Sequence, residues 1–214
     1  MYIDLAGSSV VAWARSFADL VAPRRCAGCD RPGLALCGGC ALAIDGRRPP
    51  PRPRGQALVA AYRYEDPVAR VITRAKYRDA RSALTAVAKL AIGRVATIEA
   101  DLVVPIPLGQ RRRIQRGYNQ AELIARIWAA SWQAPIGLDL VRIRETAPQV
   151  GNDLPARSAN VAGAFRWRGG SLSGLRICLV DDVHTTGATL AAAQSALRHA
   201  GAAAVGVAVL ATVV

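Results

Sequence analysis

The stretch Ile177-Cys178-Leu179-Val180-Asp181-Asp182-Val183-His184-Thr185-Thr186-Gly187-Ala188-Thr189-Leu190 constrains the fold of this chain more than any other. Its four leading apolar residues read as a buried parallel strand. Ala188 to Ala200 reads as a helix with Leu190 and Leu197 on one face, so a crevice opens between strand and helix. At a helix N-terminus the first backbone N–H groups lack partners, and the hydroxyls of Thr185, Thr186 and Thr189 add donors suited to a monoester phosphate. Gly187 lets the backbone come close. Asp181 and Asp182 repel a phosphate, but acceptor-only carboxylates suit the vicinal hydroxyls of a ribose and the hydrated Mg²⁺ that accompanies pyrophosphate. The competing reading is an ordinary acidic turn with a threonine as N-cap.

Other nucleotide signatures are missing: there is no G-x-x-x-x-G-K-[ST], and no G-x-G-x-x-G follows a strand. In order, spacing and residue types the stretch resembles the 13-residue phosphoribosyl pyrophosphate (PRPP) motif of type I phosphoribosyltransferases. That resemblance implies that Asp181 and Asp182 hold the ribose hydroxyls while Thr185, Thr186, Gly187, Ala188 and Thr189 wrap the 5-phosphate.

At 214 residues and 52% hydrophobic, the chain can bury a full core with an appendage to spare, since roughly 150 residues suffice for a domain of this kind. It has no run of strongly apolar residues long enough to span a bilayer, and Asp4 precedes any basic residue, so neither a membrane span nor a signal peptide is expected. A cytoplasmic protein is the expectation. Its 28 basic residues outnumber 15 acidic ones for a net charge of +13, and all but Lys76 and Lys89 are arginines. Such a surface favours anionic ligands. Aromatic residues make up only 5%, which argues against a stacking platform for single-stranded nucleic acid.

Cys26-x-x-Cys29 and Cys37-x-x-Cys40 form two C-x-x-C knuckles separated by seven residues, with Gly28, Gly33, Gly38 and Gly39 allowing tight turns. They read as a compact ribbon around one structural Zn²⁺. Disulfides are the alternative, disfavoured in a cytoplasmic setting. Cys178, inside the apolar run, reads as a core residue. Residues 8 to 21 carry Val10, Val11, Trp13, Ala14, Phe17, Leu20 and Val21 at helical spacing. Residues 46–55, rich in proline and arginine, read as an extended linker. The expected organisation is a helix and zinc module over 1–45, the linker over 46–55, and the main domain over 56–214. A strand over Leu58 to Tyr64 and helices near Pro67 to Tyr77 and Ser82 to Ala96 are predicted there.

In the second informative block a buried strand ends at Pro105-Ile106-Pro107-Leu108, followed by a basic loop with Arg111, Arg112, Arg113 and Arg116. A helix from about Asn119 to Ala130 then offers Leu123, Ile127 and Ala130 to the sheet. A loop at the C-terminal end of a strand lies where open α/β sheets bind ligands, and arginines suit pyrophosphate oxygens. The third block, Arg142 to Phe165, is long, polar and irregular; with Arg144 and Arg157 it reads as a lid over an anionic substrate.

Pro-Ile-Pro-Leu at 105–108, Arg116-Gly-Tyr-Asn-Gln-Ala-Glu122, Arg142-x-Arg-x-Thr-x-x-Gln149, Arg157-x-x-Asn-Val-x-Gly-x-Phe165, the Asp181 segment and the four cysteines together resemble the ComF family over about residues 20–214. The resemblance implies the type I phosphoribosyltransferase fold, a mostly parallel α/β sheet flanked by helices. It also implies PRPP as ligand, a likeness to amidophosphoribosyltransferases and, in some bacteria, a role in uptake of transforming DNA. Carried over, 105–108 becomes the pyrophosphate loop, 142–165 the flexible lid, and Arg116, Arg144 and Arg157 the candidate catalytic cations. Lys76-Tyr77 matches a basic–aromatic pair of the family. His184 falls at a variable position and reads as an exposed loop histidine.

The implied chemistry is displacement of pyrophosphate from the anomeric carbon through an oxocarbenium-like state, in favour of an unidentified nitrogenous acceptor. A hood over that acceptor is expected from the N-terminal hundred residues, because the last apolar strand runs to Val214. Glutamine is not expected as the nitrogen source: residue 2 is Tyr2, and the N-terminal cysteines read as metal ligands. The alternative is a non-catalytic PRPP-binding accessory protein of DNA uptake that contacts single-stranded DNA or a DNA-handling partner. An oligomer is compatible with either.

Overall fold

The computed structural model describes residues 24–51, 57–77, 80–95, 98–144 and 163–213. The helix expected over 8–21, most of the linker with Arg52 and Arg54, and the inner part of the lid with Arg157 lie outside the described residues.

Near-continuous burial along the apolar strands builds a parallel sheet covered on both faces, in the order β1–β6–β5–β2, from β1 (Leu58–Arg63), β2 (Leu102–Pro105), β5 (Arg176–His184) and β6 (Ala204–Thr212). Successive side chains point to opposite faces. Cys178, Val180, Ala208 and Leu210 therefore join one core cluster, while Ile177, Leu179, Val207 and Val209 join the other. Burial pushes the Cys178 thiol up to about 12, as expected of a packed core residue.

The first face is covered by α2 (Val68–Tyr77), α3 (Arg81–Leu90) and α6 (Gln120–Trp132), and the second by α7 (Ala188–His199) with the antiparallel pair β3 (Leu140–Arg142) and β4 (Phe165–Trp167). Three helical expectations change. Residues 110–116, anticipated as a basic loop, form α5 (Gln110–Arg116), a helix that buries none of its residues. On α6 the fully buried stripe is Ala121, Ile124, Ala125, Trp128 and Ala129, while the expected Leu123 and Ile127 pack partly buried at its flank and Ala130 is exposed. Trp128 sets that rotation: it is fully buried and its indole N–H donates to the Ala88 carbonyl at 2.8 Å. The helix foreseen over Ser82 to Ala96 is divided into α3 and a short α4 (Ile92–Val95).

The cysteine segment packs on the domain. Ala27 and Ile44, the latter on α1 (Gly38–Asp45), share the core of Val71, Leu84 and Leu210. Arg74 donates to the Cys26 carbonyl and Arg94 to that of Arg47, while Arg47 pairs with Glu65 at 3.0 Å, so the start of the linker is stitched to the domain.

Candidate functional site

The strand β5 runs through the two carboxylates as far as His184, so the acidic pair belongs to the strand rather than to the loop after it. Alternation then separates their roles. Asp182 has the same parity as Cys178 and Val180, the face covered by α2, and its Oδ2 lies 2.6 Å from Lys76 Nζ. Asp181 curls forward, its Oδ1 accepting the N–H of Asp182 at 2.8 Å. One oxygen of each carboxylate is thereby committed. The two carboxyl groups are also in side-chain hydrogen-bonding contact with each other. Burial, and then the charge of Asp182, push the Asp181 carboxyl well above its ordinary value, toward about 8.

After His184 the chain turns through exposed Thr185 and Thr186 to Gly187, which starts α7 at φ +78°. A side chain would be strained there, and a Cβ would stand 3.1 Å from His184 Nε2. No side chain caps this helix end. The N–H groups of its first turn therefore face outward beside the two threonines, an arrangement that accepts an anion. His184 is half-buried and packed rather than loose: its Nδ1 meets the Thr212 hydroxyl at 3.1 Å, and burial holds its pKa below the ordinary value.

Pro105 pairs with Val180 in register and Ile106 N–H donates to the Val180 carbonyl, so Pro105–Leu108 ends one strand away from the carboxylates at the same sheet edge. Asn119 fixes this turn: its side-chain amide donates to the Ile106 carbonyl at 2.9 Å while its Oδ1 caps α6 by accepting from Ala121. Arg116 bonds Gln120 Oε1 and lies 5.5 Å from the ring centroid of Tyr77. Arg144 is exposed just beyond β3, where its carbonyl accepts from Arg142, and no contact links it to the carboxylates among the described residues. Arg157 lies outside those residues. A cavity of about 440 Å³ between β4 and α7, lined by Trp167 and His199 among others, involves neither carboxylate.

The sequence reading did not foresee Lys76 as the partner of Asp182. The available signal was its rarity, one of two lysines among 28 basic residues.

The Sγ atoms of Cys26, Cys29, Cys37 and Cys40 all lie within 4.8 Å of one another. The Cys29–Cys37 separation of 3.7 Å is too long for a disulfide. Gly28 makes room for the cluster, since a Cβ there would come 2.7 Å from Cys40 Sγ. Burial raises the Cys26 thiol, but N–H donors from Cys37, Cys29 and Gly28 outweigh it and bring the pKa down to about 6. Cys40 is pushed the other way, by burial and by its sulfur neighbours. Four thiols this close ionise together only around a cation, so the donor set fits a tetrahedral soft-metal site.

The phosphoribosyl transferase domain model matches residues 74–213. The chain belongs to the phosphoribosyl transferase family, among its ComF-type members. It is 31% identical over 200 residues to the DNA utilization protein YhgH of Salmonella typhi, covering 84% of this chain and 85% of that protein. Competence protein F of Haemophilus influenzae is 27% identical over 194 residues, covering 82% of this chain and 85% of the relative. Among solved structures, the glutamine PRPP amidotransferase of B. subtilis aligns at 24% identity with a TM-score of 0.43, covering 61% of this chain and 26% of the enzyme. The ComF-type fold thus carries the type I phosphoribosyltransferase architecture expected from the motif: a parallel sheet, flanking helices and a cysteine cluster at its N-terminal side. No helix among the described residues is long and apolar enough to cross a membrane.

Proposed function

We propose that this protein binds PRPP at the C-terminal edge of its parallel sheet and transfers the phosphoribosyl group to a nitrogenous acceptor, releasing pyrophosphate. One observation carries the reading: two adjacent carboxyl groups, one fixed by Lys76 and one by a backbone N–H, stand at the foot of a helix N-terminus without a side-chain cap, within the segment that matches the family. Asp181 and Asp182 bind the vicinal hydroxyls. Thr185, Thr186, Gly187, Ala188 and Thr189 take the 5-phosphate through N–H and O–H donors. Pro105, Ile106, Pro107 and Leu108 present backbone to the pyrophosphate, with Arg116, Arg144 and Arg157 as its cations. Mg²⁺ neutralises pyrophosphate charge when bound with PRPP, and the acceptor-only oxygens of the acidic pair suit its hydration shell. The four cysteines hold a structural Zn²⁺, and a cytoplasmic location, where thiols stay reduced and sugar phosphates are at hand, fits both ligands.

The names of the relatives favour a second reading, an accessory protein of DNA uptake that binds PRPP without turnover and contacts single-stranded DNA or a DNA-handling partner. Incubation with PRPP and Mg²⁺ while following pyrophosphate release separates the two. The arms are ammonia, individual nucleobases and single-stranded DNA. Release above the rate without acceptor in any arm establishes transfer; PRPP binding by calorimetry with no release in any arm establishes the accessory role.

A further inference from the structure

Lys76 reaches the acidic pair by construction. The last carbonyls of a helix lack intrahelical partners, and near the end of α2 the Ala75 carbonyl accepts from the Tyr118 hydroxyl at 2.8 Å and from the Gln120 side-chain amide at 3.2 Å. Gln120 is buried, and the Tyr118 ring lies 4.2 Å beneath the Arg81 guanidinium. These residues flank Asn119, which holds the turn at Ile106. The segment 116–120 thus joins the expected pyrophosphate loop to the end of α2, and delivers Lys76 to Asp182 with side chains only 20% and 12% exposed. A lysine held this way has already lost most of the rotamer freedom that a free surface lysine keeps.

A carboxylate turns broadly about its terminal torsion. An ion pair on Oδ2 of Asp182 stops that rotation and fixes the direction of Oδ1. We infer that Lys76 is a positioning residue that sets the sugar selectivity of the site, making it discriminate ribose 5-phosphates with both vicinal hydroxyls from their deoxy analogues. The inference rests on the PRPP-site reading and adds a determinant from outside the strand–loop–helix motif.

The test measures calorimetric affinities of ribose 5-phosphate, 2-deoxyribose 5-phosphate and 3-deoxyribose 5-phosphate. The parent should bind the ribose compound about tenfold more tightly than each deoxy sugar, the increment of one hydroxyl bonded to a charged acceptor. In Lys76→Met the ratio should fall to about twofold or less for at least one deoxy sugar, with affinity for that deoxy sugar unchanged because the phosphate loop is intact. Lys76→Arg should retain most of the selectivity. Asp182→Asn should lose the same ratio as Lys76→Met, and the double variant no more than either alone. If the Met variant does not fold, Lys76→Gln poses the same question with a neutral donor. A full ratio in the neutral variant, or equal weakening toward all three sugars, overturns the inference alone. A parent that binds no sugar phosphate overturns the site reading and the inference with it.

Discussion

The protein holds two clusters of acidic side-chain atoms and balances them in opposite ways. At the sheet edge, Asp181 and Asp182 are offset by Lys76 and by a backbone N–H. At the N-terminal side, the four sulfurs meet N–H donors and one another, while Arg74 bonds the Cys26 carbonyl and Arg25 bonds Asp30. The first arrangement supplies its own counter-charge from a side chain of the fold, as befits a site that must stand ready before a ligand arrives and after it leaves. The second needs a cation from outside and encloses it, as befits a permanent staple.

The largest effect expected from this contrast is on the staple. Changing Cys26 and Cys40 together to Ser, or chelating the metal, should lower the melting temperature by about 10 °C or more, because the binding free energy of a structural zinc is folding free energy. The loss should reach beyond the knuckles, since Ala27 and Ile44 belong to the main core. Elemental analysis should find about one zinc per chain, as a four-thiolate site implies. PRPP affinity of the molecules still folded should stay within about twofold, because the cysteines bond none of the sheet-edge residues. An apoprotein that melts like the parent would break the comparison by making both clusters self-sufficient.

At the other cluster, changing Asp181 and Asp182 to Asn should cut PRPP affinity by about a hundredfold above pH 8, where Asp181 is ionised, the effect of two hydrogen bonds to charged acceptors. The fold should survive, as shape is kept. A folded double variant that binds PRPP like the parent removes the ribose assignment.

The parts of the molecule that were legible in the sequence and those that were not divide along physical lines. Strand β5, Gly187 and helix α7 were legible because burial on both faces, a small turn and an apolar stripe leave unmistakable patterns. The knuckles were legible because paired thiols at fixed spacing have few other uses. Helix α5 was not: Gln-Arg-Arg-Arg-Ile-Gln-Arg buries no side chain, so hydrophobic periodicity is silent, and Ile114 stays exposed. The face of α6 turned on one tryptophan that could reach the Ala88 carbonyl. Lys76 and Asp182 are more than a hundred positions apart, and only the packing of α2 against the segment 116–120 brings them together. Strands β3 and β4, three residues each, are too short for alternation to register.

A smaller effect sharpens the cost of keeping a carboxylate in reserve. With its folded pKa near 8 against an ordinary 3.8, Asp181 binds its proton more tightly folded than unfolded. Stability therefore falls as pH rises between those values and levels off above the higher one. Asp181→Asn removes this loss. Its melting temperature should match the parent near pH 4 and exceed it by about 3 °C at pH 8. A gain that shrinks with rising pH would mean the group is stabilised ionised, and that the site is not held under strain.

The smallest effect concerns the basic surface, where the structure redistributes the candidate phosphate contacts. Arg47 is occupied with Glu65 and the Asp66 carbonyl, so this part of the linker is fastened to the domain. Arg111, Arg112 and Arg113 stand exposed on α5, directly after the turn assigned to pyrophosphate. With no aromatic residue on α5 to stack a base, they can bind single-stranded DNA only weakly and without sequence preference. Each phosphate neutralised contributes about 0.7 to the slope of log affinity against log salt for a single strand. Changing the three to Gln should therefore lower the slope of a fluorescent-oligonucleotide salt titration by about 2, and weaken binding uniformly across sequences. Arg47→Gln should leave the slope unchanged while loosening the start of the linker. The reverse result, a slope that follows Arg47 and ignores α5, would place the nucleic-acid surface beside the cysteine cluster. The ligand edge and the staple would then share a partner rather than divide the labour.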